Sequence, residues 1–211
     1  VRPGMNMARP ESAPQPAPAT HAVTTVAPLA VALPAAADDL GARIAAAMAP
    51  LSPALVLIFG MPAIGLAPLS AELLARLGAG CRIVGCSSAG EIGPEGYCQD
   101  TVVALGFPAA SFRVGTCVLG DQAQVPVSGW MGMLRRLHAE FRPDLRRSCF
   151  GVLLADALAR HEDVLAATLD AAIPGLPVIG ASTAMGLGFE QSAIVVDGQA
   201  HPGAAVFLLV E

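Results

Sequence analysis

Two apolar runs fix the scale on which this chain can fold. ALVLIF begins at residue 54 and CFGVLLA at residue 149, 95 positions apart. The same interval separates Gly85 in RIVGCSSAGEIG from Gly180 in PVIGASTA. Around these anchors the order helix, strand, helix, strand, strand, strand reads twice. A period of this length is too long for a solenoid, and two copies are too few for a propeller. A pseudo-symmetric duplication remains, each copy carrying its own sheet. Continuous apolar strands, rather than alternating ones, imply sheets covered on both faces. The expected class is α+β (mixed α/β), with helices covering the sheets in a layered αββα arrangement.

The elements follow from period and punctuation. HAVTTVAPLAVAL is a first extended segment. DDLGARIAAAMAPL reads as a helix capped by Asp38 or Asp39, with Leu40, Ile44, Met48 and Leu51 on one face, stopped by Pro50 and Pro53. LSAELLARL is a helix ended by Gly78, and CRIVGCS a strand followed by a Gly/Pro loop to Tyr97. TVVALGF and SFRVGTCVL read as a hairpin around Pro108. VSGWMGMLRRLHAEF is a helix that buries Trp130, Met133, Leu134, Leu137 and Phe141. HEDVLAATLDAAI is a helix with Val164, Leu165, Thr168, Leu169 and Ile173 inward. PVIGAS, SAIVV and AAVFLLV close the chain as strands. Residues 1–20, rich in Pro and Ala, are expected to be a disordered tail, with Met5 and Met7 as candidate starts. Residues 21–211 form the domain, with internal halves of about 38–120 and 127–211.

Composition excludes several classes. The net charge is -5 with only 12 Lys plus Arg and no basic run, so nucleic acid is not an expected partner. The longest apolar stretch is broken by Pro62, Gly65 and Pro68, short of the roughly 20 residues of a membrane span. The apolar run from Ala22 to Ala37 lacks a basic lead and is interrupted by Pro28 and Pro34, which argues against a secretion signal. Cysteines 81, 86, 98, 117 and 149 are odd in number and contain no Cys-x-x-Cys pair. They read as buried hydrophobes in a cytoplasmic protein, neither a disulfide framework nor a zinc site.

The chemistry concentrates where a buried strand ends in Gly-small-Ser-Ser/Thr-Ala. Gly85, Cys86, Ser87, Ser88 and Gly90 form one such turn, and Gly180, Ser182 and Thr183 the other. Related by a pseudo-twofold, the two turns face one crevice, in which hydroxyls and exposed amides hold a polar or anionic group. Close sheet packing is the alternative use of such small residues. A nucleophile elbow needs Gly-x-Ser-x-Gly entering a helix; here Cys86 takes the first glycine's place and Gly93, Pro94 and Gly96 come next, so an enzyme is not expected. Glu91 and Glu95 lie four apart in a glycine-rich loop, a solvated setting, with Glu91 near enough to the turn to meet a ligand ammonium. His21, His138, His161 and His201 are scattered. A haem reading starts from the helical His138 and His161, with Cys86 or Cys98 as further iron ligands. No metal ligand set is assigned. Arg82 and Arg113 are expected to face the surface.

LVLIFG, RIVGCSSAGEIGPEGYCQDTVVALGF, VLLADAL and LPVIGASTAMGLGFEQSAIVVDGQAHPGAAVFLLV, taken in order, resemble the amino-terminal domain of the FIST family over about residues 21 to 211. The resemblance implies a bacterial sensory input domain for signal transduction that binds small ligands, with amino acids suggested. It implies partners such as a histidine kinase, a chemoreceptor, a cyclic-dinucleotide enzyme or a carboxy-terminal companion domain. Some similar proteins bind haem and respond to nitric oxide, and a eukaryotic branch serves in substrate recognition by ubiquitin ligases. On this likeness Cys86, Ser87, Ser88, Gly90 and Glu91 are the matched box, and Asp156 the matched acidic strand end. The second turn departs from the family pattern, having no carboxylate before Glu190. The candidate functions are a small-ligand sensor, a haem-based gas sensor, and an interaction scaffold with an exposed apolar patch.

Overall fold

The computed structural model describes residues 26–120, 124, 126–184 and 194–211. The first unit runs β1 (Leu29–Pro34), α1 (Leu40–Met48), β2 (Pro53–Gly60), α2 (Leu66–Leu77), β3 (Arg82–Ser87), a hairpin of β4 (Glu91–Gly93) and β5 (Gly96–Cys98), and β6 (Thr101–Pro108). The second repeats this order as β7 (Val114–Leu119), α3 (Val127–Phe141), β8 (Phe150–Ala155), α4 (Glu162–Ala172), β9 (Val178–Ser182), a hairpin of β10 (Ile194–Val196) and β11 (Gln199–Ala200), and β12 (Ala205–Val210).

Each unit builds the same sheet. The first has the order β1-β6-β2-β3 and the second β7-β12-β8-β9. In both, the last two strands are parallel and the other neighbours antiparallel. Even the register repeats: Val56 faces Ile83 across β2 and β3, and Gly151 faces Val178 across β8 and β9, each residue shifted by the same 95 positions. The two sheets stack face to face with helices outside. Val56 and Ile58 of β2 pack under α1 and α2 with Ile44, Met48 and Leu73. Leu55 and Leu57 point the other way, into the seam between the sheets with Val206, Leu208 and Val210 of β12. The alternate residues Ala205, Phe207 and Leu209 pack under α3 and α4. Strands covered on both faces need apolar residues at odd and even positions alike, which accounts for the continuous runs.

Several expectations change. TVVALGF and SFRVGTCVL do not pair as a hairpin: β6 lies between β1 and β2, whereas β7 pairs with β12 in the other sheet. The segment after Pro108 is a crossover between sheets, and it moves the junction of the halves ahead of β7. Neither chain direction nor local turn chemistry reveals which sheet a strand joins. Asp39 sits at the start of α1 in the left-handed region, φ 53°, without a side-chain cap hydrogen bond. Met133 is exposed, leaving Trp130 and Leu134 as the buried stripe of α3. The loop expected before Tyr97 is the β4–β5 hairpin. Arg82 and Arg113 are half-exposed but tethered, to Asp197 and Glu211 respectively. The tail over residues 1–20 lies outside the described residues.

One element crosses between units. β10 belongs to the second half of the chain, yet it adds antiparallel to β3, placing Val195 opposite Gly85. Its connection to β11 is the two-residue Asp197-Gly198 turn, with φ 50° and 84°, the mirror-image turn that suits hairpin twist. The Asp197 carboxylate accepts from the Ile83 amide at 2.9 Å, and the Gly198 amide donates to Ser70 Oγ at 2.9 Å. A Cβ at Gly198 would lie 2.8 Å from that of Ala71, so α2 and the turn meet only because this residue is glycine.

Candidate functional site

The carboxyl ends of β2, β3 and β9 converge, and a hollow of about 410 Å³ opens there. Cys86, Ser87, Ser88, Ala89 and Gly90 line it from the first turn, and Ala181, Ser182 and Ala184 from the second. The two halves touch directly: the Ala184 amide donates to the Ser87 carbonyl at 2.9 Å. The volume falls in the range of small-molecule sites.

The backbone around the hollow is less available than the sequence suggests. Ser88 N–H donates to Gly60 O at 3.1 Å, and Thr183 N–H to Ala155 O at 2.7 Å. The Ala184 amide is also engaged, so three of the turn amides are already satisfied within the protein. Ser88 Oγ donates to Glu91 Oε1 at 2.5 Å. Glu91, expected in solvent, is buried at 3% exposure because β4 folds back beneath the turn, and its Oε2 has no hydrogen-bond partner among the described residues. A buried carboxylate oxygen without a partner carries a desolvation penalty that a donor would relieve. Glu95 stays exposed, as expected. On the other wall, Ser182 Oγ donates to Glu162 Oε1 at 3.0 Å.

The remaining sequence candidates hold the walls. Gly85 lies mid-strand, where a Cβ would meet the Ile58 side chain at 3.1 Å. Gly180 lets β9 approach β8: a Cβ there would collide with the Leu153 carbonyl oxygen. Thr183 is buried, and its Oγ1 accepts from the Ala157 amide at 3.0 Å. Asp156 is buried too and does not line the hollow. Its Oδ1 accepts from Leu158 N–H at 3.0 Å and its Oδ2 from Gly203 N–H at 2.8 Å. It therefore ties the end of β8 to the entry of β12.

Phe59 and Tyr97 also line the hollow, and neither stands out in the sequence. Phe59 ends β2 beside β3, and the rule that ligands bind beyond the carboxyl ends of parallel strands would have found it. Tyr97 arrives only through the β4–β5 hairpin. A Cβ on Gly90 would lie 2.6 Å from the Tyr97 hydroxyl, so Gly90 is what lets the ring close over the turn.

The pKa of the Cys86 thiol is pushed up to about 12, mainly by burial and secondly by the charge of Asp156. It stays protonated at neutral pH, which removes the reactivity of a thiolate. Beyond Ser88 the chain forms a strand hairpin, so no helix dipole acts on it. His138, His161 and Cys98 lie outside the hollow's lining, and His21 lies outside the described residues. Among the described residues, no group of three His, Cys, Asp or Glu side chains is placed to hold a metal ion, and no helix is long and apolar enough to cross a membrane.

Residues 54–211 match a family model, the FIST N domain. No curated protein matches the chain.

Proposed function

The chain belongs to the FIST family, a family of sensory and signal-transduction domains, and from that premise we propose that it is a non-enzymatic input domain binding a small polar ligand in the hollow between its two turns. The observation that supports this most is the meeting of both Gly-small-Ser turns, one from each half, around a single hollow of ligand size. Ser88 and Ser182 supply hydroxyls at opposite walls, Tyr97 and Phe59 supply apolar surface, and Glu91 supplies a carboxylate behind Ser88. A ligand held by both halves has differential affinity for any two arrangements of the sheets, which is the thermodynamic requirement for a signal. Readout passes to a signalling partner of the kinase, chemoreceptor or cyclic-dinucleotide class.

A thermal-shift screen of amino acids and small carboxylates tests this. A binder at a hundredfold excess over its Kd raises the midpoint by about 5–10 °C. The Ser88→Trp variant, whose indole fills the hollow, loses that rise. If no compound shifts the wild type more than Ser88→Trp, the hollow is not a ligand site.

A further inference from the structure

We infer that the open edge of β9, with the slot between it and α4, is a docking groove for an extended peptide segment carrying apolar side chains and a basic residue. Among the described residues β9 pairs only with β8, and all five of its residues are exposed. Gly151 N–H donates to Pro177 O, and Thr183 N–H to Ala155 O. The odd-numbered positions therefore face β8, and by strand alternation Val178, Gly180 and Ser182 present their N–H and C=O groups outward. The strand VIGAS carries no charge and no proline, the usual devices that keep an edge from pairing.

Beside this edge lies a second hollow, of about 390 Å³. Leu153, Ala166, Leu169, Leu176 and Val178 make it apolar, and Glu162 and Asp170 are its charged lining residues. An edge flanked by a helix and an apolar slot is the geometry of strand addition. Main-chain pairing supplies affinity there, and alternate side chains enter the slot.

The twin sheet shows what covers this position. The equivalent edge, on β3, is paired by β10, an apolar Ile-Val-Val strand running antiparallel. Charge then selects the partner. Among the described residues no basic side chain lines the slot, so its two carboxylates favour Lys or Arg beside the apolar side chains. A second copy pairing β9 with β9 would bring its own Glu162 and Asp170 to the same groove, like charge against like.

The test uses the full chain and a fluorescein-labelled peptide, Arg-Ile-Val-Val-Lys, whose apolar core copies Ile194–Val196. Saturable anisotropy is expected, with slowed hydrogen exchange at the amides of Val178, Gly180 and Ser182. Asp170→Lys, on an exposed helix position, weakens binding at least tenfold. Ile179→Lys, at an exposed strand position, does the same, and a peptide with a central proline does not bind. If Ile179→Lys fails to fold, Asp170→Lys and the proline peptide carry the test alone. Any of three results overturns the proposal: no binding up to about 1 mM peptide, binding without protection at those amides, or binding indifferent to Asp170→Lys. Sedimentation showing a dimer that Ile179→Lys dissociates also overturns it, assigning the edge to a second copy.

Discussion

β3 and β9 hold the same place in their sheets, with the same parallel neighbour and the same register, yet one is buried and the other exposed. Val84 is 0% exposed, whereas Ile179, its equivalent 95 residues on, is 65% exposed. The difference comes from the hairpin after each strand. β10, with Ile194, Val195 and Val196 all buried, reaches across and completes the first sheet. β4–β5 has the equivalent place in the first unit, but it forms a separate two-stranded sheet. Its sequence, Glu-Ile-Gly and Gly-Tyr-Cys, offers too little apolar surface to join a buried edge, and Ile92 is 81% exposed. Like topology does not give like environment: the burial of a strand is set by what the next hairpin can desolvate.

The sharpest way to break this contrast is to charge each hairpin. Val195→Asp places an unpaired carboxylate in the core between α2 and the first sheet and is expected to cost at least about 3–5 kcal/mol in urea unfolding. Ile92→Asp should stay within about 0.5 kcal/mol of wild type. Equal losses at both positions would mean that β4–β5 is as integral as β10–β11. A gentler version trims the strands themselves. Val84→Ala is expected to lower stability by about 2 kcal/mol and Ile179→Ala by less than about 0.5. If the Ile179 change costs as much as the Val84 change, the β9 edge is already covered in solution.

The last effect is nil at neutral pH and appears only in alkali, as a pH dependence centred on the first unit. The thiols of Cys81 and Cys86 are both pushed up to about 12 from an ordinary 9.0, chiefly by burial. A raised thiol pKa means that the folded chain keeps its proton where the unfolded chain has lost it. Stability is therefore level below about pH 9 and falls as the pH rises from there towards 12. Burial also raises Cys117 and Cys149 in the second unit. The double variant Cys81→Ala, Cys86→Ala should flatten most of the decline, and a chain that loses stability equally without these thiols would contradict their burial. The positions 95 residues on are Leu176 and Ala181, which do not titrate.

Much of the hollow's lining is legible in the sequence because it rests on local chemistry. The repeated Gly-small-Ser signal locates both turns, and their convergence follows from the duplication. Three residues escape that signal for a common reason. Glu91 reads as solvated because its neighbours are glycines and a proline, but β4 turns it under Ser88. Asp156 reads as a ligand contact, but its oxygens accept from the Leu158 and Gly203 amides. Tyr97 carries no signal as a lone aromatic in a polar loop until the hairpin forms. In each case the partner is distant in the fold or hidden in the hairpin, and side-chain type alone does not report it.

The sequence by itself determined the two-unit plan, the helices and buried strands, and the bends that carry the hydroxyls. These depend on residue periodicity and on where glycine or proline interrupts it, both local properties. Tertiary structure alone decided that β7 leaves β6 for the other sheet, that β10 seals β3, and that β9 gains no second neighbour among the described strands. Those outcomes turn on competition among distant apolar surfaces for the same edge, an energy that no short stretch of chain contains.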